Sequence, residues 1–478
     1  MVACPESRTP EGGDNVTGPD NVPAGARAVC RRGGATSSAT HRGRSVPGEG
    51  NRLTRITHAR LPRWLVVLCW LLATSHPPLQ AQRSALDTRR VKVGAEVLLE
   101  KYLDSLNGKR VGVICNRSSI LPNGTHLVDT LLRRGVTITA LFGPEHGIRG
   151  RAAAGATIEN ETDPATGIPV YSLYGKVLKP SAEMLANVDV LLFDLQDAGS
   201  RFYTYASTMA NTMEAARDNR KKFILLDRPN PINGVELEGP VLDMTLTSFF
   251  GKFPIPVRHG LTLGELARMI VGEGWLDIDS RVDLMVVPME GWKRPMWYDE
   301  TGLPWVPPSP NMRTLATATV YPGTCLFEAT NISEGRGTGN PFEYIGAPGM
   351  RNKAIAAKLN AFRLPGVIFQ PVEFTPEGDT AAGPDPKFKD KICRGVYVHV
   401  TDRKQFKPVL TGVLMLATIQ RSYPHALMLT TGRLDRLIGD TIISQAIEAK
   451  RVGMNVLDFT RRQIEAFKRI RSKYLLYR

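Results

Sequence analysis

The feature that most constrains this chain is an exchange of two hydrophobic periods between residues 110 and 275. Four continuous apolar runs recur there: Arg110-Val-Gly-Val-Ile-Cys115, Val136-Thr-Ile-Thr-Ala-Leu-Phe142, Val188-Asp-Val-Leu-Leu-Phe193 and Lys222-Phe-Ile-Leu-Leu226. Helical patterns alternate with them at about 125–134, 181–187, 205–220 and 261–275. A strand that is apolar along its whole length must be covered on both faces. The alternation therefore predicts an α/β fold, a Rossmann-like, doubly wound and mostly parallel sheet. Right-handed crossovers then bring the functional loops to the carboxyl ends of the strands.

Polar groups leave these strands four times in succession. The first run ends in Asn116-Arg-Ser and the second in Gly143-Pro-Glu-His-Gly-Ile-Arg149. The third leads to Asp194-Leu-Gln-Asp197-Ala-Gly-Ser-Arg201-Phe-Tyr-Thr-Tyr205, and the fourth to Asp227-Arg-Pro-Asn230-Pro. One polar rim on an apolar sheet predicts a site. The sequence lacks a phosphate-binding P-loop, a G-x-G-x-x-G turn, an H-E-x-x-H pair and a G-x-S-x-G elbow, so no nucleotide, no cofactor and no resident metal are expected. A Pro-rich stretch at 304–310 breaks the rhythm and places a domain junction at 305–320. The expected organisation is a catalytic domain at 91–310 and a smaller C-terminal α+β domain at 315–478. The latter carries a Gly-rich loop, Glu334-Gly-Arg336-Gly-Thr-Gly-Asn340-Pro, a helix at 351–362, a loop at 375–388 and a strand at 394–401. Helices are expected near 408–420, 439–449 and 460–475.

The net charge of +15 is uneven, since residues 1–90 contain 13 arginines, no lysine and six acids, or +7 of it. The remainder is mildly basic, suited to an anionic partner but without the charge block of a nucleic-acid arm, so no nucleic-acid partner is expected. Residues 1–58 have the composition of a disordered segment. A basic flank, a ten-residue apolar run at 64–73 and a small residue at Ala81 mark 59–81 as signal-like; the run is too short to span a bilayer. Signals normally begin near residue 1, so the start of translation is expected further in, at a Val or Leu codon. Membrane association is expected only through this signal or an uncleaved anchor, with a periplasmic or secreted location. Cys115, Cys325 and Cys393 sit in apolar runs and read as buried thiols.

Glu145 and His146 lie between a proline and a glycine at a strand end. That context frees both side chains to enter a cleft, where partial desolvation would raise the Glu145 pKa into the range of a general acid, as glycosidic cleavage requires. The plain alternative is a surface carboxylate. Of Asp194 and Asp197, one suits a helix cap near 203 and Asp197 suits a catalytic or substrate role. Asp197, His146 and His259 lack the spacing of metal ligands. Arg201, Arg228, Arg258 and Arg336 are loop arginines whose planar forks suit a carboxylate or phosphate; glycines flanking Arg336 would let substrate approach its backbone. Tyr203 and Tyr205 are either sugar-stacking rings or core tyrosines.

Several of these segments together resemble the exo-β-N-acetylmuramidase family of the NamZ type. The matching signatures are Val93-Gly-Ala-Glu, Gly143-Pro-Glu-His-Gly, Phe193-Asp-Leu-Gln-Asp-Ala-Gly-Ser-Arg-Phe-Tyr-Thr-Tyr205 and Leu226-Asp-Arg-Pro-Asn-Pro231. Pro256-Val-Arg-His-Gly-Leu-Thr262 with Gly264-Glu265, Pro308-Ser-Pro-Asn-Met312 and Asn331-Ile-Ser-Glu-Gly-Arg-Gly-Thr338 with Pro341-Phe complete the set, in order, over about 91–478. The resemblance implies a cell-envelope glycoside hydrolase that releases N-acetylmuramic acid from the non-reducing end of peptidoglycan fragments, in a cleft between a Rossmann-like domain and a smaller auxiliary one. It makes Glu145 the catalytic carboxylate. Asp197 and Glu334 compete for the second role, with a separation of ~5–5.5 Å implying retention and ~6.5–9.5 Å inversion. The lactyl carboxylate of muramic acid would suit Arg336 or Arg201, and Asn116, Asn230, Asn331 and His259 would bind hydroxyl and acetamido groups. Two other readings stand beside it: an esterase, deacetylase or peptidase on the same polymer with His146 or His259 as base, and a non-catalytic muropeptide-binding protein.

Overall fold

The computed structural model describes residues 90–145, 147–148, 161–276, 281–378 and 383–478. The expectations for 1–58, 59–81 and His146 lie outside the described residues. In chain order the strands are β1 (Arg110–Cys115), β2 (Thr137–Gly143), β3 (Glu161–Thr162), β4 (Pro169–Ser172), β5 (Val190–Asp194), β6 (Lys222–Leu226), β7 (Glu238–Val241), β8 (Pro256–Arg258), β9 (Leu284–Val287), β10 (Tyr344–Ala347), β11 (Val367–Phe374) and β12 (Cys393–Val400). The α-helices are α1 (Gly94–Val97), α2 (Leu127–Arg133), α3 (Tyr205–Asp218), α4 (Leu263–Gly272), α5 (Leu315–Thr324), α6 (Asn352–Asn360), α7 (Pro408–Ser422), α8 (Thr431–Ile438), α9 (Ile442–Glu448) and α10 (Thr460–Arg471).

The main sheet has the order β3-β4-β2-β1-β5-β6-β9. Every neighbouring pair is parallel except β3 with β4. Ranked along the chain, the parallel strands read 3-2-1-4-5-6, the doubly wound order, with its switch point between β1 and β5. Alternation along each strand feeds two cores. Val111, Val113 and Cys115 join Leu127 and Leu131 of α2 on one face. On the other, Ile114, Phe142 and Phe193 join Met209 of α3, Leu266 of α4 and, continuously, Val396 and Leu414 of the C-terminal part. That part is a three-stranded antiparallel sheet, β10-β12-β11, with helices around it.

Residues 181–187 are turns, not the expected α-helix. The stretch follows Pro180; Leu185 N–H is shared between the Ser181 (i−4) and Ala182 (i−3) carbonyls, both 3.2 Å, and Ala186 and Val188 bond only i→i−3, so the segment is too short to propagate an α-helix.

The crevice at the switch point, where such sheets usually take ligands, is filled. Arg228 forks onto Asp194, Nε to Oδ1 at 2.5 Å and Nη2 to Oδ2 at 2.8 Å, and both are buried. Beside the pair remains a cavity of about 20 Å³ between Gln196, Arg228 and Tyr298. Two charges taken out of water demand such a partner, so the third and fourth strand ends are spent on each other.

The next residue, Asp227, anchors the C-terminal segment. It accepts Tyr477 Oη–H at 2.6 Å, Thr262 Oγ1–H at 2.7 Å and the Gly264 N–H at 2.8 Å. Burial nevertheless outweighs these bonds and pushes its carboxyl up to about 7 from 3.8. A raised acid binds its proton more tightly folded than unfolded. Its contribution is therefore fully present below pH 4 and is lost as pH rises through 7. Between pH 4 and 8 the chain should lose on the order of 3 kcal/mol relative to Asp227→Asn. Urea midpoints of both proteins across that range measure it, and parallel profiles would refute it.

Candidate active site

A cavity of about 540 Å³ opens beyond β2 and the amino end of α3, walled on its far side by segments of the C-terminal part. Five predicted site residues line it: Glu145, Tyr203, Tyr205, Glu334 and Arg336. The turn that follows β2 closes with a Gly147 N–H bond to the Pro144 carbonyl at 2.9 Å and puts Glu145 at its apex, half-buried. Tyr174 lines the cavity with it, and Thr204 Oγ1 lies 3.4 Å from Oε2. Burial, and then the Glu145 charge, push the Tyr174 hydroxyl above its ordinary range, so it remains a donor at neutral pH.

Across the cavity stands a charged cluster. Arg336 donates from Nη2 to Glu328 Oε1 at 2.6 Å, and its Nε lies 3.2 Å from Glu334 Oε1. Lys387 Nζ meets Glu334 Oε2 at 2.8 Å and the carbonyls of Phe327 and Ile332 at 2.9 and 3.1 Å. Arg433 Nη2 reaches Glu328 Oε2 at 2.9 Å. Burial works against the Glu328 charge, but Arg336 and Arg433 outweigh it and hold that carboxyl below its ordinary value. Burial likewise opposes the Arg336 charge and is outweighed by Glu328 and Glu334. The glycines beside Arg336 serve the backbone: Gly337 has φ +79°, and a Cβ there would stand 2.3 Å from the Glu377 carbonyl oxygen. They let two chain segments close on each other, which differs from the expected close approach of substrate.

The other predicted residues that are described do not line the cavity, and each bonds a neighbour. Asn116 donates to Tyr205 Oη at 2.7 Å and to the Pro308 carbonyl at 3.0 Å, while its Oδ1 accepts from Ser118. Tyr205 in turn donates to Pro308 at 2.6 Å. Tyr203 and Tyr205 are almost fully buried and packed edge-to-face, rings 4.8 Å apart, so they are core tyrosines whose edges floor the cavity. Asp197 is buried, takes the Gly199 N–H at 2.8 Å and faces His259 Nε2 at 3.7 Å. Neither Asp194 nor Asp197 caps α3, whose N-cap is Thr204. His259 Nδ1 accepts from Leu261 N–H, and Asn230 spans from the Leu261 carbonyl to the Ile232 N–H. Arg258, under Trp297, donates to the Ile232 carbonyl. Asn331 pairs with the backbone of Ala426 and Met428.

Arg201 departs furthest from expectation. Fully buried, it donates to the carbonyls of Pro240, Ile255 and Leu437 at 2.9, 2.9 and 2.8 Å. It thus ties the end of α8 to β7 and to the residue before β8. Gly439, which ends α8 at φ +83°, has Arg201 Nη2 2.4 Å from where a Cβ would stand. Among the described residues, no three His, Cys, Asp or Glu side chains converge to hold a metal ion.

Sequence reasoning missed Tyr174, Glu328, Lys387 and Arg433. Only Lys387 had a signal, its place in the Pro/Gly/Asp loop at 375–388; the others sit in unremarkable runs and are brought in by folding.

Comparison with known proteins decides the family. The model described as "Exo-beta-N-acetylmuramidase NamZ, N-terminal" matches residues 111–316 and its C-terminal counterpart matches 319–477. The chain belongs to the NamZ family. A peptidoglycan beta-N-acetylmuramidase NamZ of Bacillus subtilis (strain 168) is 46% identical over 390 residues, 81% of this chain and 92% of that protein. Two solved DUF1343-family proteins of Bacteroides fragilis NCTC 9343 share the fold. One is 37% identical with a TM-score of 0.74, covering 82% of this chain and 100% of that one. The other is 32% identical with a TM-score of 0.65, covering 81% and 99%. Glu145, Tyr174 and Thr204 fall in the N-terminal NamZ match, and Glu328, Glu334, Arg336, Lys387 and Arg433 in the C-terminal one. The cavity is therefore built from both NamZ halves.

Proposed function

We propose that this chain is an exo-acting β-N-acetylmuramidase that hydrolyses the bond behind the terminal N-acetylmuramic acid, at the non-reducing end of peptidoglycan fragments. The observation that carries this reading is the cavity itself. It sets a half-buried glutamate, bonded by a threonine, across from a carboxylate paired with two cations, in a chain 46% identical to a peptidoglycan β-N-acetylmuramidase. Glu145 gives its proton to the departing glycosidic oxygen, C1 takes a water oxygen, and the water's remaining proton restores the acid pair over the full cycle. Of the two candidates for the second carboxylate, Glu334 lines the cavity and Asp197 does not. The signal-like segment at 59–81 favours work in the cell envelope, to be checked by N-terminal sequencing of the exported protein.

The test is incubation with a chromogenic β-N-acetylmuramide and with its β-N-acetylglucosaminide counterpart. Release from the muramide alone is expected. Release from neither, with a muropeptide still bound, would favour a binding protein. An esterase or deacetylase using His259 fits poorly, because that ring is buried and outside the cavity.

A further inference from the structure

The muramidase reading leaves open which group recognises the feature that separates N-acetylmuramic acid from N-acetylglucosamine, a lactyl carboxylate. The sequence pointed to Arg336 or Arg201. Arg201 is buried under three backbone carbonyls, and Arg336 already gives Nη2 to Glu328 and Nε to Glu334, so its charge is matched by two carboxylates. Lys387 is spent as well. An ammonium has three donors, and its three hydrogen bonds go to Glu334 and two carbonyls.

Arg433 is different. It lines the cavity, its side chain is 46% exposed, and one nitrogen bonds Glu328. Among the described residues no other side-chain hydrogen bond from it is found, so the second Nη2 hydrogen, with its neighbouring N–H, leaves one edge of the fork unoccupied. Its guanidinium carbon stands 5.8 Å over the Phe250 ring, which also lines the cavity and limits where the fork swings. The cluster's charge points the same way. On that wall Glu328 and Glu334 face Arg336, Lys387 and Arg433, two carboxylates against three cations; Glu145, the proposed acid, stands across the cavity, and Asp385 on the exposed rim pairs with none of the cations. One added carboxylate would balance the set.

We propose that Arg433 is the specificity-determining residue that binds the lactyl carboxylate through its free edge while Glu328 holds the other. The proposal rests on the muramidase reading. It also gives Arg201 a positioning role, since Arg201 clamps Leu437 at the far end of the helix whose first turn carries Arg433.

The experiment compares a chromogenic β-N-acetylmuramide with the same compound bearing a lactyl amide, on the wild-type chain, Arg433→Met and Arg433→Lys. The wild-type KM should be roughly tenfold or more lower for the acid than for the amide, the range of a charge-assisted hydrogen bond. Arg433→Met should bring that ratio to about one, whereas Arg433→Lys, which keeps the charge and loses the fork, should keep part of it. If Arg433→Met raised both KM values equally and preserved the ratio, the residue would be merely structural and the proposal overturned. A wild-type chain indifferent to the amide would overturn it too, while leaving the muramidase reading intact. Absence of release from either compound by the wild-type chain would instead remove the muramidase reading, and this proposal with it.

Discussion

Glu145→Gln should lower kcat on a muramoyl disaccharide by roughly 10²–10⁴-fold, the contribution of a well-placed general acid. Glutamine keeps the shape and still accepts from Thr204 through its carbonyl oxygen, so the cavity should stay intact and KM should move little. What it lacks is the proton. The loss should therefore depend on the leaving group. A sugar alkoxide departs poorly without protonation, whereas a nitrophenolate departs as the anion, so the deficit on a nitrophenyl β-muramide should be far smaller. Steady-state kinetics on both substrates decide the matter. An equal loss on both would make Glu145 a nucleophile or a binding group, and an unchanged disaccharide rate would remove it from the chemistry.

Arg201→Met is the largest structural effect expected. The guanidinium is held without a carboxylate, by three carbonyls, and burial lowers its pKa to about 9, so it is still charged at neutrality. Methionine approximates its volume but removes a donor from all three carbonyls, of which Ile255 keeps the Leu242 N–H at 3.2 Å. Removing the desolvated charge returns part of the cost, so the net loss should be about 3 kcal/mol, visible as a lower urea midpoint. Because one carbonyl belongs to Leu437 at the end of α8, the KM for a muramide should rise in parallel. A higher KM with unchanged stability would put Arg201 on the substrate after all. Unchanged values of both would deny it either role.

Much of the architecture was legible before folding. The four apolar runs became β1, β2, β5 and β6, and the longer helical patterns became α2, α3 and α4, because strands covered on both faces need no partner information to declare themselves. The short strands β4 and β9 were not legible, since four residues flanked by loops carry no period. At the site, the loop chemistry of Glu145 and the cluster residues Glu334 and Arg336 stood out by their proline and glycine neighbours. Asn230 and Arg258 were candidates for substrate binding and, like Asp194 and Arg228, are interior supports. A polar residue at a strand end has the same local pattern whether it faces a cleft or another buried charge.

The sequence by itself determined the doubly wound sheet, the smaller C-terminal part and the glutamate at the end of the second strand, all properties carried by local period and turn chemistry. Only the tertiary structure decided where the charges went. It spent Asp194 on Arg228, closed the switch-point crevice, turned Arg201 into a clamp and gathered Glu328, Lys387 and Arg433 around Arg336 from segments up to about a hundred residues apart. The reason is physical: a buried ionic group must find a partner, and which partner lies within 3 Å is set by packing and by no feature of its own neighbourhood in the chain.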